Sequence, residues 1–370
     1  MKRVPSQDVD FKLVPGKEIG TSDIVITMKR SKPDKMILSV DNSGNKATGK
    51  LQLSYTYSLD NLMGKNDLFN LSFNKDGAGN GDEKGTDGHS VYWSVPDGYW
   101  TYSFSYRDSS YKQTITMFGT GICFSGESSG SHIKIDRLIH RDQSSKTSMN
   151  IDLKLDNGHN YLSGAELASQ FKKTTSLQVG ISQRRYIKKS VLDYQIAYRH
   201  GMPWFHTQDD QEVSNNVYTS QYGLWTGEID YTSPMTLGNL DATYTGTLHG
   251  QYTNSSLYGG ECISIGNRYT VRGFDGEETL MGDSGWYWRN EISVPLDTKG
   301  HQIYYALDYG QVSGERADSL SGKDLLGAAI GLRGNLGQAQ ADIFVGWPLK
   351  KPEEIKNSGP TVGFQCYIQF

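Results

Sequence analysis

Apolar and polar side chains alternate along most of the chain, whereas the three-to-four-residue spacing of amphipathic helices is nearly absent. Such alternation predicts β-strands, because successive side chains of a strand point to opposite faces. In the C-terminal segment, one face carries Val362, Phe364, Cys366, Ile368 and Phe370, and the other carries Thr361, Gly363, Gln365, Tyr367 and Gln369. We therefore predict an all-β fold.

The length of the alternating runs separates two kinds of β protein. A soluble sandwich buries its apolar face, whereas a transmembrane barrel turns that face to lipid and lines its lumen with the polar one. Sandwich strands usually have about five or six residues. The runs in this chain last nine to twelve residues, close to the ~9–11 that a tilted membrane strand requires. We therefore predict a transmembrane barrel.

The connections between the runs are unequal in length. Short turns such as Pro96-Asp97-Gly98 alternate with long polar segments, the longest of which runs from Tyr252 to Gly285. This asymmetry is typical of outer-membrane barrels. The runs from Met36 to Phe370 number sixteen, so residues 35–370 are predicted to form sixteen antiparallel strands. An even number lets the sheet close without an edge that faces lipid.

Residues 1–34 differ from the rest of the chain. They carry more charge and fewer aromatic residues, and include Val14-Pro15-Gly16 and Thr21-Ser22-Asp23 before a short apolar run. The segment looks like the end of a small soluble module and is too short to bury a core by itself. Met1-Lys2-Arg3 is not followed by an apolar stretch, so we expect a chain without a signal peptide, as in a mature or shortened protein.

Composition narrows the possible functions. The 370 residues carry a net charge of −4, which argues against a dedicated nucleic-acid-binding protein. The 42 glycines and 23 tyrosines favour β structure over helix. Cys123, Cys262 and Cys366 lie far apart, with no histidine at metal-ligand spacing. We therefore expect unpaired cysteines, no metal site and no cofactor.

The most specific motif is Val271-Arg272-Gly273-Phe274-Asp275-Gly276, inside the longest predicted loop. It is followed by Gly282-Asp283-Ser284-Gly285, Arg289-Asn290-Glu291 and Leu307-Asp308-Tyr309-Gly310. Together these motifs resemble the TpsB transporters of two-partner secretion, which belong to the BamA-like superfamily of outer-membrane barrels. His140-Arg141-Asp142-Gln143 is similar to the branch that exports haemolysins and contact-dependent-inhibition toxins.

The resemblance extends towards both ends of the chain. Leu13-Val14-Pro15-Gly16 with Gly20-Thr21-Ser22-Asp23 resembles the end of the second POTRA domain of that family. Residues 1–34 are therefore expected to be a POTRA remnant in front of the barrel. Phe370 matches the terminal aromatic residue that the barrel-assembly machinery reads.

The resemblance implies a function and a set of partners. It implies a bacterial outer-membrane protein that moves one large exoprotein (an adhesin, a haemolysin or a contact-dependent-inhibition toxin) from periplasm to cell surface. The transporter itself would hydrolyse no nucleotide and would not be an enzyme. Its implied partners are the exoprotein, outer-membrane lipid and, during biogenesis, the barrel-assembly machinery, and a monomer is expected.

The resemblance also implies that the loop folds into the lumen, where Arg272 meets carboxylates of the wall. Alternation along the predicted strands puts Asp308 on the face opposite Leu307, and Glu291 on the face opposite Ile292. A desolvated carboxylate needs a cation, and the planar fork of an arginine can bind it with two hydrogen bonds. We therefore predict that Arg272 pairs with Asp308 and also with Glu291.

Two other functions remain open from the sequence. A passive porin would share the barrel but would constrict its pore with an inward loop lacking this motif. An outer-membrane protease or lipase would also share the barrel. His206, Asp209 and Asp210, in the predicted loop from Gly201 to Thr219, are residue types that such chemistry uses.

Overall fold

The computed structural model describes residues 4–77, 84–117, 120–167, 170–213, 216–353, 355–356 and 359–370. Sixteen antiparallel strands close into one barrel, which confirms the predicted fold. They are β1 (Asp34–Asp41), β2 (Gln52–Asp60), β3 (Leu68–Asp76), β4 (Gly85–Asp97), β5 (Trp100–Met117), β6 (Thr120–Arg141), β7 (Ser145–Leu162), β8 (Lys172–Ile187), β9 (Ser190–Met202), β10 (Gly223–Leu237), β11 (Leu240–Thr253), β12 (Ser284–Pro295), β13 (Gln302–Ser313), β14 (Asp324–Leu336), β15 (Ala339–Lys350) and β16 (Thr361–Gln369).

Helices contribute little to this architecture. Among the described residues, no helix has the length and apolar character needed to cross a membrane.

The first and last strands complete the barrel. Gln365 pairs with Asp41 and Gln369 pairs with Ile37, and the Phe370 N–H donates to the Met36 carbonyl at 2.9 Å. Each of the sixteen strands therefore has a hydrogen-bonded neighbour on both sides. A closed sheet leaves no row of unpaired backbone groups, which a strand in lipid could not satisfy.

Exposure alternates along the strands as the sequence pattern predicts. In β13, Leu307 is 52% exposed, whereas Tyr304 and Asp308 are 2% and 0% exposed. In β15, Ile343 is exposed and Phe344 is buried. Because the sheet is closed, the buried set points into the barrel. The exposed set is apolar and forms the outer surface, as expected of a wall in contact with lipid.

The two ends of the barrel differ. At one end the turns are short: Asp97 pairs with Trp100, and Leu336 pairs with Ala339. At the other end, residues 203–222, 254–283 and 314–323 connect consecutive strands. We call these the short-turn end and the long-loop end. Both the first residues of β1 and the last residues of β16 lie at the short-turn end.

Several strands exceed the predicted length of nine to twelve residues, and three consecutive strands exceed it most. β5, β6 and β7 contain 18, 22 and 18 residues, so they continue well beyond the ~9–11 residues that cross a membrane. Within β6, the stretch from Ser125 to Ser131 is polar on both faces, so apolar alternation does not continue through the strand in the sequence. Cross-strand pairing keeps all three strands in the sheet.

An N-terminal hairpin forms a two-stranded sheet separate from the barrel sheet. Its strands are Gln7–Pro15 and Ser22–Arg30. The pairs Phe11–Ile26 and Leu13–Ile24 share one face, and all four side chains are exposed. The Ser6 N–H donates to the Asp60 carboxylate at 2.6 Å, which ties the start of the hairpin to the end of β2.

The facing of the last strand gives a stability test. Phe364 should face lipid and Gln365 should face the lumen, so Phe364→Lys is expected to cost up to ~2–4 kcal/mol near the membrane midplane. Gln365→Lys on the same strand is the matched control and should fold nearly as well as the unchanged protein. Folding into lipid vesicles in a urea series measures both variants, and equal tolerance of the two lysines would contradict the facing.

Candidate functional site in the barrel lumen

The candidate site is formed by residues 254–283, which connect β11 to β12 and which we call the long loop. Two short strands of this loop, Ile263–Ile265 and Leu280–Gly282, pair with each other. Its tip lies against the inner face of the wall: a Cβ atom on Gly327 of β14 would lie 1.8 Å from the Arg272 carbonyl oxygen. Only glycine permits so close a backbone approach.

Apolar residues of the long loop pack against the inner wall and two neighbouring connections. Val271 and Phe274, on either side of the tip, are 0% and 2% exposed. The cluster also contains Ile263, Ile265, Leu280, Val312, Ala317, Leu325 and Ile355. Burial of these apolar side chains stabilises the docked loop through the hydrophobic effect, by roughly 1.5–3 kcal/mol for each large side chain.

Arg272 and Asp308 form a buried, bidentate ion pair. Arg272 Nε lies 2.7 Å from Asp308 Oδ2, and Arg272 Nη2 lies 2.9 Å from Asp308 Oδ1. The Arg272 backbone N–H also donates to Oδ2 at 3.0 Å, and the Asn290 N–H donates to Oδ1 at 3.0 Å. Asp308 is completely buried and Arg272 is 5% exposed. Each carboxylate oxygen therefore accepts two hydrogen bonds without contact with solvent.

Glu291 extends the pair into a network. Its Oε2 lies 2.6 Å from Arg272 Nη1, and its Oε1 lies 2.6 Å from Arg333 Nη2 on β14. One carboxylate thus lies between an arginine of the loop and an arginine of the wall. A cavity of about 340 Å³ adjoins the network, and its lining includes Arg289 and Asp342.

Two glycines shape the loop tip. Gly273 and Gly276 have φ angles of +105° and +78°, a region that residues with a Cβ rarely adopt. A Cβ atom on Gly273 would also lie 2.4 Å from the Trp347 carbonyl oxygen. Asp275 lies nearer the surface, where its carboxylate is 3.4 Å from Lys46 Nζ.

The structure also brings Arg268 into the site, a residue that the sequence patterns do not single out. Its guanidinium lies over the Phe344 ring, 5.5 Å from the centroid. It donates to the Phe364 carbonyl at 3.2 Å and to the Asn42 side chain. Arg268 therefore joins the long loop to the junction of β1 and β16. It follows no strand alternation, so only the three-dimensional fold reveals this contact.

The residues considered for hydrolytic chemistry are not assembled into a site. His206 is exposed. The Asp210 carboxylate accepts the Ser220 N–H at 2.9 Å, and the Asp209 carbonyl accepts the Tyr258 hydroxyl at 3.2 Å. Among the contacts of the described residues, none joins His206 to either aspartate.

Cysteines and metal-ligating side chains are also scattered. Cys123, Cys262 and Cys366 are unpaired, as predicted. Within the described ranges, no three His, Cys, Asp or Glu side chains are placed to hold a metal ion.

Comparison with known proteins identifies the family. Residues 20–334 match the family described as haemolysin secretion/activation protein ShlB/FhaC/HecB. The outer membrane transporter CdiB-2 of Burkholderia pseudomallei strain 1026b is 36% identical over 374 residues, which cover 100% of this chain and 64% of that protein. The chain belongs to this family of two-partner secretion transporters. It spans just under two thirds of the length of that relative.

Solved structures agree with the assignment. CdiB from Escherichia coli superposes with a TM-score of 0.91 at 26% identity, over 98% of this chain and 67% of that chain. BamA from Haemophilus ducreyi, at 10% identity and a TM-score of 0.59, shares the fold. The closed barrel with its apolar outer surface is therefore a bacterial outer-membrane protein, as predicted.

The buried pair gives a test of loop docking. Arg272→Ala should leave the Asp308 carboxylate buried without a cation, which costs about 3–5 kcal/mol when the site is dry. The free energy of unfolding in detergent micelles, from a denaturant titration, measures this cost. Arg272→Lys should recover only part of it, because an ammonium lacks the bidentate fork.

The control for this test is an exposed ion pair in a neighbouring connection. Lys323 Nζ lies 2.6 Å from Asp318, whose side chain is 70% exposed. Asp318→Asn should therefore cost at most about 1 kcal/mol. Equal effects of Arg272→Ala and Asp318→Asn would show that the lumenal pair contributes no more than a surface pair.

Proposed function

We propose that the protein moves one large secreted exoprotein from the periplasm to the cell surface. The exoprotein class is an adhesin, a haemolysin or a contact-dependent-inhibition toxin. The observation that carries the proposal is the long loop held against the inner wall by the Arg272–Asp308 pair, in a chain that belongs to a secretion family. The name of the Burkholderia relative, an outer membrane transporter, supports it.

The proposed mechanism is displacement of the long loop from the lumen. In the docked position, the loop and its ion pairs occupy the space beside β12 to β14. An extended polypeptide needs a hydrated path, and movement of the loop would widen that path. The sequence contains no P-loop motif, so we attribute the driving force to folding of the exoprotein outside the cell.

The ends of the chain have proposed roles of their own. We assign residues 1–34 to the remnant of a POTRA domain and residues 35–370 to the barrel, with Asp34 at the boundary as the first residue of β1. The exposed apolar face of the hairpin, with Phe11 at 64% and Leu13 at 72%, supports the first assignment, because such a face normally packs against the rest of a module. We assign Phe370, 62% exposed at the end of β16, to recognition by the barrel-assembly machinery. A single closed barrel is proposed as the working unit.

Two other functions fit the proposed site less well. A passive porin would not need a loop tip fixed by a bidentate buried pair. A barrel protease or lipase would need His206 to act with Asp209 or Asp210, and His206 lies exposed without a contact to either of them. We therefore propose a transporter without enzymatic activity.

Secretion of the cognate exoprotein by the full-length transporter tests the proposal. Arg272→Ala and Asp308→Ala should each reduce secretion, by about tenfold or more if the pair controls loop position. The double variant should be little worse than either single variant, because both remove the same interaction. Secretion is measured as exoprotein in the medium relative to transporter in the outer membrane.

Matched variants make this secretion test decisive. Asp318→Asn and His206→Ala should secrete normally. Fully additive losses in the Arg272/Asp308 double variant would show that the two residues act separately. Normal secretion by both single variants would refute a role for the pair. A steady large conductance of the unchanged protein in planar bilayers would instead favour a passive porin.

A further inference from the structure

A second buried ion-pair cluster lies near the base of the long loop. The Glu261 side chain is 6% exposed, and its two oxygens contact two cations of the wall. Glu261 Oε1 lies 3.0 Å from Lys172 Nζ, and Glu261 Oε2 lies 2.6 Å from Arg199 Nη1. Every charge in this cluster therefore has a partner of opposite sign.

The two cations belong to strands far along the wall from the Arg272 site. Lys172 begins β8, and Arg199 lies near the long-loop end of β9. Both point into the barrel, because their neighbours of opposite parity, such as Val179 and Tyr198, are exposed on the outer surface. Asp308 lies in the middle of β13. The long loop is thus held at the long-loop end of β8 and β9 and also at the middle of β13, on another part of the wall.

The polarity of the two attachments is reversed. At the base, the loop supplies the carboxylate and the wall supplies the cations. At the tip, the loop supplies the guanidinium and the wall supplies the carboxylates. Burial opposes ionisation of Glu261, but Lys172 and Arg199 outweigh it and lower the pKa of Glu261. The base attachment is therefore charged at neutral pH.

We propose that Glu261 is a positioning residue that anchors the base of the long loop to β8 and β9, independently of the Arg272 anchor at the tip. The anchor concerns only how the loop is held in its docked position. Its role in transport rests on the proposed function, in which the loop moves. Because two sites of opposite polarity hold the loop, loss of the tip pair alone should leave the base docked.

Cys262 is a natural reporter of the base anchor. It follows Glu261 directly and packs against the cluster of Tyr222, Leu224 and Leu257. Burial raises the pKa of the Cys262 thiol to about 11, so a docked thiol should react slowly with maleimide at neutral pH. Displacement of the loop base should expose it.

Maleimide labelling of the folded full chain in lipid vesicles tests the proposal. Cys123→Ser and Cys366→Ser leave Cys262 as the single thiol. Glu261→Gln should raise its labelling rate by about tenfold or more, because the loop base then opens locally. A Lys172→Met/Arg199→Met double variant should also raise the labelling rate of Cys262. Arg272→Ala alone should leave the rate near that of the parent.

Removing the anchor from either side distinguishes exposure of the Cys262 thiol from a change in its pKa. Loss of the Glu261 charge lowers the thiol pKa and speeds the reaction directly, whereas loss of the two cations raises the thiol pKa and slows it. Faster labelling in both variants can therefore come only from exposure. Lys172→Arg, which keeps the charge, should retain protection, and Asp318→Asn serves as a neutral control for charge loss. Folding of every variant is checked by its heat-dependent mobility on gels.

The outcomes distinguish the anchor from the proposed function. Labelling at the parent rate in both Glu261→Gln and the Lys172/Arg199 double variant would overturn the anchor. Exposure of Cys262 together with altered secretion would support both the anchor and the proposed function. Exposure of Cys262 with unchanged exoprotein secretion would support the anchor and would contradict a function that depends on loop position.

Discussion

The arrangement of the lumen depends on one carboxylate, that of Asp308. It lies in the middle of a wall strand with no exposure, and a lone buried charge costs several kcal/mol. Arg272 meets this requirement with three hydrogen bonds, two from its side chain and one from its backbone. The loop tip must therefore approach the wall closely enough to present main chain as well as side chain, which fixes both its position and its orientation.

The wall accommodates this approach with glycines on three neighbouring strands. A Cβ atom on Gly310 of β13 would lie 3.0 Å from Val271, one on Gly327 of β14 would lie 1.8 Å from the Arg272 carbonyl oxygen, and one on Gly346 of β15 would lie 2.8 Å from the Gly273 nitrogen. The loop motif thus rests in a shallow groove that lacks side chains. The apolar residues beside the tip fill the surrounding space, so packing and electrostatics select the same docked position.

Strand periodicity predicted the wall, and the motif around Arg272 predicted the contact of the loop tip with that wall, but the other contacts of the long loop were not predicted. Alternation predicted the all-β class, the outward facing of Leu307, and the inward direction of Asp308 and Glu291, because each follows from a period of two residues. The full length of β6 was missed because the stretch from Ser125 to Ser131 is polar on both faces. Glu261 and Arg268 were missed because they lie in the long loop, outside the wall strands, where no period relates a residue to the distant strand that it contacts.

At the loop tip, the wall limits the electrostatic consequence of losing Arg272 to a single group. If Arg272 leaves, Glu291 still has Arg333 at 2.6 Å, so its charge remains paired. Asp308 keeps the Asn290 N–H at 3.0 Å but loses its cation. At the tip, the cost of opening therefore concentrates on Asp308, where water entering the vacated space would solvate the carboxylate. A carboxylate that is stable either with an arginine or with water, but not when buried alone, favours two discrete states of the loop over intermediate positions.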